Sequence, residues 1–145
     1  MSNRVETHIR LARPEEREGL ENLMRRASLA LDEYRKALEA NPDAIDLPAR
    51  QIADGDVIVA EADGTVLGFA AVVGGELDGL FVDPPHWRRG VGAALVAEAV
   101  LVARRRGLSL TVVGGPAARG FYERCGFTVE GDEPTRFGPA FRMSR

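Results

Sequence analysis

Apolar positions along this chain fall into blocks that either alternate or recur at helical spacing, and the blocks predict its elements. ETHIRLAR (6–13) reads as a short first strand. Pro14 then opens a helix in its first turn, where proline is tolerated, and Glu15 and Glu16 suit the positive end of the dipole. Leu20, Leu23, Met24, Ala27 and Leu31 give that helix one apolar face. A second helix, DEYRKALEAN, ends at Asn41-Pro42, because a residue before proline is pushed out of the helical region. VIVAEA (57–62) and TVLGFAAVV (65–73) flank Asp63-Gly64, a hairpin signal. Gly74-Gly75 leads into ELDGLFVD (76–83), where plain alternation places Leu77 and Phe81 on one face and Leu80 and Val82 on the other. Residues 90–106 are apolar nearly all round apart from Glu98, which predicts a helix buried against a sheet. Arg104, Arg105 and Arg106 suit its C-terminal end and Gly107 stops it. LSLTVV (108–113) is a strand, Pro116 starts a helix ending at Arg124-Cys125 before Gly126, and FTVEG and TRFGPAFRM read as closing strands. The order β-α-α-β-β-β-α-β-α-β-β predicts a mixed sheet layered with helices, of α/β or α+β class.

Composition narrows this picture without redirecting it. A chain of 145 residues suits one domain, 1–145, with a core able to stand without metal or disulfide. No apolar run reaches membrane-spanning length, and MSNRVETHIR has no apolar segment of a secretory signal, so no membrane partner is expected. The lone cysteine, Cys125, rules out an internal disulfide and makes a reducing cytoplasm the expected home. A net charge of -3 argues against nucleic acid as the main partner, although Arg88-Arg89 and Arg104–Arg106 form local basic patches. His8 and His86 stand apart from any second histidine or cysteine at ligand spacing, so no metal is expected.

The informative stretch is HWRRGVGAAL (86–95), a G-x-G turn running into the buried helix. The first backbone N–H groups of a helix lack intrahelical partners, and glycines let an anion approach them closely. Arg88 and Arg89 add side-chain charge beside the same amides. The same glycines would equally serve close packing of helix on strand. A dinucleotide fingerprint is excluded because its third glycine falls on Leu95, and the lysine-ending phosphate loop is absent.

Joined to LDGLFVDPPHW before it and PAARGFYERCGFTVEG after it, this turn resembles the GNAT superfamily of acyl-CoA-dependent N-acetyltransferases. That family pairs an Arg/Gln-x-x-Gly-x-Gly/Ala turn with a Phe-Tyr-x-x-x-Gly-Phe segment at this distance. The likeness covers residues 56–131 in motif detail and the whole chain in order of elements. It implies a mixed, mostly antiparallel sheet of about six or seven strands flanked by about four helices. It also implies acetyl-CoA as acyl donor, its pantetheine arm on the backbone of Leu80, Phe81 and Val82. The pyrophosphate would lie on the loop Arg88, Arg89, Gly90, Val91, Gly92 and Ala93. Two positions depart from the family: Trp87 stands where an arginine or glutamine is usual, and Gly115 where an asparagine is common.

The resemblance further implies direct transfer to an amine acceptor, small molecule or peptide, in a ternary complex, and leaves a homodimer open. At pH 7 a lysine-like amine with pKa of about 10.4 costs roughly 4–5 kcal/mol to deprotonate, whereas a thiol of about 8.5 needs roughly 2 kcal/mol of help to leave. Tyr122 matches the position that protonates the departing thiolate, and Glu76 the position of a general base, with Asp78 or water as alternatives. Tyr34 falls in the region that lines the acceptor cleft in relatives. The competing reading is a regulatory domain that keeps the acyl-CoA groove and has lost turnover.

Overall fold

The computed structural model describes residues 6–145, with the side chains of Glu33 and Tyr34 outside the description. The readings made on MSNRV and on the Tyr34 side chain therefore lie outside the described residues. A seven-stranded sheet runs in the order β1-β2-β3-β4-β5-β7-β6. Its strands are β1 (His8–Leu11), β2 (Val57–Ala62), β3 (Thr65–Val73), β4 (Glu76–Val82), β5 (Thr111–Gly114), β6 (Thr128–Asp132) and β7 (Phe141–Ser144). All neighbours are antiparallel except β4 and β5. The helices are α1 (Arg17–Leu29), α2 (Asp32–Ala40), α3 (Ala49–Ala53), α4 (Val91–Arg105) and α5 (Pro116–Arg124).

Each face of the sheet carries its own core. On one face α4 buries Val91, Leu95, Val96, Ala99, Val100 and Ala103 against Ile58, Leu67, Val72, Leu77 and Met143. On the other, Leu20 and Leu23 of α1, Leu47 from the segment before α3, and Ile52 of α3 pack on Val57, Val59 and Phe69. Burying a leucine or valine side chain contributes roughly 1.5–3 kcal/mol, so α4 is the main tie of its layer. It is not buried all round as its composition predicts, since Ala97 and Leu101 are exposed on its outer face. Arg106, just past its end, donates to the carbonyls of Val72 and Gly74, each at 2.9 Å, and pairs with Asp56 at 2.9 Å. Of that basic run Arg106 therefore fastens α4 to the sheet, while Arg105 pairs with Glu98 of the helix itself.

Plain alternation in β4 does not hold. Ala71 faces Gly79 whereas Val72 faces Leu77, so Asp78 is an extra residue, a β-bulge. The bulge reverses the phase of the strand: Leu77, Leu80 and Val82 all join the α4 face, and Phe81 joins the α1 face against Phe69. Leu77 and Phe81, expected on one face, thus lie on opposite faces. The short helix α3 was also not foreseen; five residues, ARQIA, are too few to show helical periodicity. β5 starts at Thr111 rather than 108, and the last stretch is a turn over Thr135–Gly138 followed by a strand only from Phe141. Pro139 has no N–H to give a ladder there.

β1 is fixed to the first helical turn by a buried-edge ion triad. Arg10 donates to both carboxylate oxygens of Glu16 at 2.8 Å and to Glu61 at 3.2 Å, while Glu16 also accepts the Arg13 N–H at 2.8 Å. The Arg10 hydrogen bonds hold the Glu16 carboxyl down from its ordinary 4.5 to about 2. A carboxyl depressed on folding stabilises the fold above its unfolded value and loses that contribution as pH falls through its folded one. Glu16→Gln is therefore expected to lower the urea midpoint at pH 6. The gap from the parent should shrink as pH falls from about 4.5 towards about 2. A gap independent of pH would remove the triad from the account.

Candidate active site

β4 and β5 share a single registered pair, Glu76 with Thr111, and beyond it the strands part. Both β4 and β5 border a cavity of about 730 Å³, walled by Leu77–Val82 on one side and Val112–Gly115 on the other. The cavity reaches both faces of the sheet. Towards α4 and α5 it meets Val91, Gly92, Ala93, Ala118, Phe121 and Tyr122; towards α1 and α2 it meets Met24, Ala27, Leu31 and Leu38. A slot through a sheet is an unusual opening, because β4 keeps an unladdered edge inside the molecule.

The glycine loop sits at one mouth of this slot. Arg88 and Gly90 both take left-handed backbone conformations, φ 64° and 82°, which turn the chain sharply into α4. Gly92 has a packing reason of its own: a Cβ there would come within 3.2 Å of the Phe121 ring. Loop and helix therefore need their glycines for the turn and for packing, whatever they also hold. Arg88, Gly90, Val91, Gly92 and Ala93 line the cavity; Arg89 does not and is exposed.

Trp87 resolves part of its own anomaly. Its indole Nε1 donates to the carbonyl of Val82 at 2.6 Å, pinning the loop to the last residue of β4. The indole thus end-stops the open edge of β4, and the Val82 carbonyl already has a donor. The sequence showed only that a polar residue was missing here. Beside it, His86 lines the cavity with Nδ1 buried and without a hydrogen bond among the described groups. Asp83 receives both a 3.1 Å and a 3.0 Å hydrogen bond from Arg26, which ties α1 across the end of β4.

Tyr122 is 7% exposed and lines the cavity. Phe121 and Phe127 meet its ring edge-on at 5.2 and 5.4 Å, and Gly114 leaves room for it, since a Cβ there would lie 3.2 Å from the ring. The ring is held in a fixed orientation by contacts on three sides. Asp78, the bulge residue, lines the cavity and accepts from Gln51 of α3 at 3.1 Å. Glu76 stands at the start of β4, exposed and outside the cavity wall. Leu80, Phe81, Val82 and Tyr122 are thus brought together, and Glu76 and Arg89 are not. Burial pushes the Cys125 thiol up, against nucleophilic use.

A model of the acetyltransferase (GNAT) domain matches residues 53–129, more than half of the chain. The chain belongs to the GNAT acetyltransferase family. Among solved structures it is similar to a GCN5-related N-acetyltransferase from Rhodopseudomonas palustris, at 21% identity and TM-score 0.80 over 98% of this chain and 96% of that one. It is also similar to YjaB of Escherichia coli, solved in its apo form, at 28% identity and TM-score 0.73 over 97% of each chain. A third is the PaiA N-acetyltransferase of Thermoplasma acidophilum in complex with coenzyme A, at 22% identity and TM-score 0.73, covering 97% of this chain and 99% of that one.

The indole clip makes a structural prediction independent of any ligand. Trp87→Phe keeps the aromatic body and removes the 2.6 Å hydrogen bond. Amide hydrogen exchange is expected to quicken by roughly tenfold across residues 86–92, with β3 amides unchanged. Unchanged exchange in the loop would show that the clip does not hold it.

Proposed function

We propose that the chain is an N-acetyltransferase that moves an acetyl group from acetyl-CoA to an amine acceptor, without a metal. The observation that carries the reading is the slot between β4 and β5, with Tyr122 in its wall and the glycine loop at its mouth. The slot fits a thin, extended arm better than a compact ligand, because its walls include strand backbone with an open edge. In this reading Leu80, Phe81 and Val82 hold the arm, and the amides around Gly90 to Ala93, with Arg88 and Arg89, hold the phosphates. The Val82 carbonyl, already bonded to Trp87, is left out of that set.

The bound donor supplies an activated thioester, whose C–S bond is exchanged for the C–N bond of an amide. The chain's residues manage the protons. Asp78, a carboxylate in the cavity wall, draws in the acceptor as its ammonium and receives in turn the two protons nitrogen gives up, one before attack and one from the tetrahedral adduct, passing each on to water. Glu76, outside that wall, acts on the amine only through solvent. Tyr122 gives its hydroxyl proton to the leaving sulfur and recovers one from solvent. Reaching a neutral amine at pH 7 costs roughly 4–5 kcal/mol, more than the roughly 2 kcal/mol that a departing thiolate demands. Deprotonation therefore dominates the barrier.

Tyr122→Phe is expected to lower kcat about 10- to 30-fold, read as thiol release, with acetyl-CoA affinity unchanged. kcat/KM should rise about tenfold per pH unit up to the acceptor's pKa. Acetyl-CoA binding with no thiol release for any amine would favour a regulatory acyl-CoA-binding domain instead.

A further inference from the structure

Resting on the transferase reading, we infer that the acceptor is a primary amine carried on a compact uncharged apolar body, such as an arylalkylamine. The part of the cavity on the α1 and α2 face is walled by Met24, Ala27, Leu31, Leu38, Ile45 and Phe137. Among the described side chains lining the cavity, Asp78 is the one carboxylate, and it belongs to the strand beside the slot. A single ammonium is therefore met at the slot, and whatever extends away from it meets a wall that is hydrocarbon apart from Ser28.

The basic residues near this chamber are committed elsewhere. Arg26 is doubly bonded to Asp83. Arg136 donates to Asn41 at 3.0 Å and to Asp43 at 3.2 Å, and its guanidinium lies 5.1 Å from the Phe137 ring centre. That pairing straps the β6–β7 loop to the segment after α2 and holds Phe137 against the chamber. The cavity's own arginines lie towards the other face, Arg88 in the glycine loop and Arg124 on α5, whose guanidinium folds back beside Gly120. An acceptor's carboxylate would thus find no cation in the α1 and α2 wall of the cavity, and a second ammonium would find no second anion there. Either charge would be desolvated against apolar walls.

The test compares phenethylamine, phenylalanine and spermidine as acceptors with acetyl-CoA, each rate corrected to its neutral-amine fraction. Phenethylamine is expected to exceed the other two in kcat/KM by at least roughly 30-fold. Ala44→Glu, at a half-exposed position in the chamber wall, adds an anion there. It should shift the spermidine-to-phenethylamine ratio upward about tenfold with acetyl-CoA affinity unchanged. Equal or better use of spermidine or phenylalanine by the parent chain overturns this inference and leaves the transferase reading standing. A ratio unmoved by Ala44→Glu overturns the placement of the acceptor in this chamber. Acetyl-CoA that binds but reacts with none of the three, nor with a lysine peptide, overturns both readings.

Discussion

Between Ala71 and Val72 of β3 the partner strand advances by two residues, from Gly79 to Leu77, and the odd residue is Asp78. A bulge bends its strand and increases the local twist. β4 consequently leaves β5 after one registered pair, and the sheet opens where seven strands would otherwise be laddered throughout. The same added residue turns Leu80 and Val82 towards α4 and Phe81 towards α1, so both walls of the opening are apolar. It also puts the Asp78 carboxylate in the wall of the opening, which Glu76 does not line. Without the insertion, the strand phase would run unbroken and β4 would send the wrong side chains to each core.

The elements around the slot hold it open against collapse. α4 anchors one lip through its buried face and through Arg106, which bonds Val72 of β3, Gly74 just after it and Asp56 just before β2. α1 anchors the other through Leu20 and Leu23 and through the Arg26–Asp83 pair. That pair is exposed and contributes little by itself to stability; its value is geometric, fixing the turn after β4. Trp87 then fixes the loop to the same turn from the opposite side. The slot is thus bordered by three independent ties, and a ligand entering it would meet groups already in place.

Much of the fold was legible from local pattern: the hairpin at Asp63-Gly64, the existence and extent of α4, and the helix breaks at Asn41-Pro42 and Gly126 all have local causes. What was not legible is non-local. A bulge is defined by the partner strand's register, so ELDGLFV reads as simple alternation until β3 is laid beside it. α3 depends on Ile52 docking in the second core rather than on its own five residues. For the site, the motif stretches marked the glycine loop and Tyr122 because their glycines and aromatics have short-range spacing. Glu76 was favoured over Asp78 by the family resemblance, and only the structure shows which of the two lines the cavity. The acceptor chamber, assembled from α1, α2 and the Phe137 turn, has no contiguous signature.

In the proposed reading the acyl donor's arm lies in the opening beside the Asp78 bulge. An amide NMR titration with coenzyme A tests it most directly. Saturable shifts are expected, concentrated at residues 79–82 and 90–93, with amides of β1 and β6 unmoved. Saturable binding that leaves 79–82 unshifted would contradict it, and so would an absence of binding.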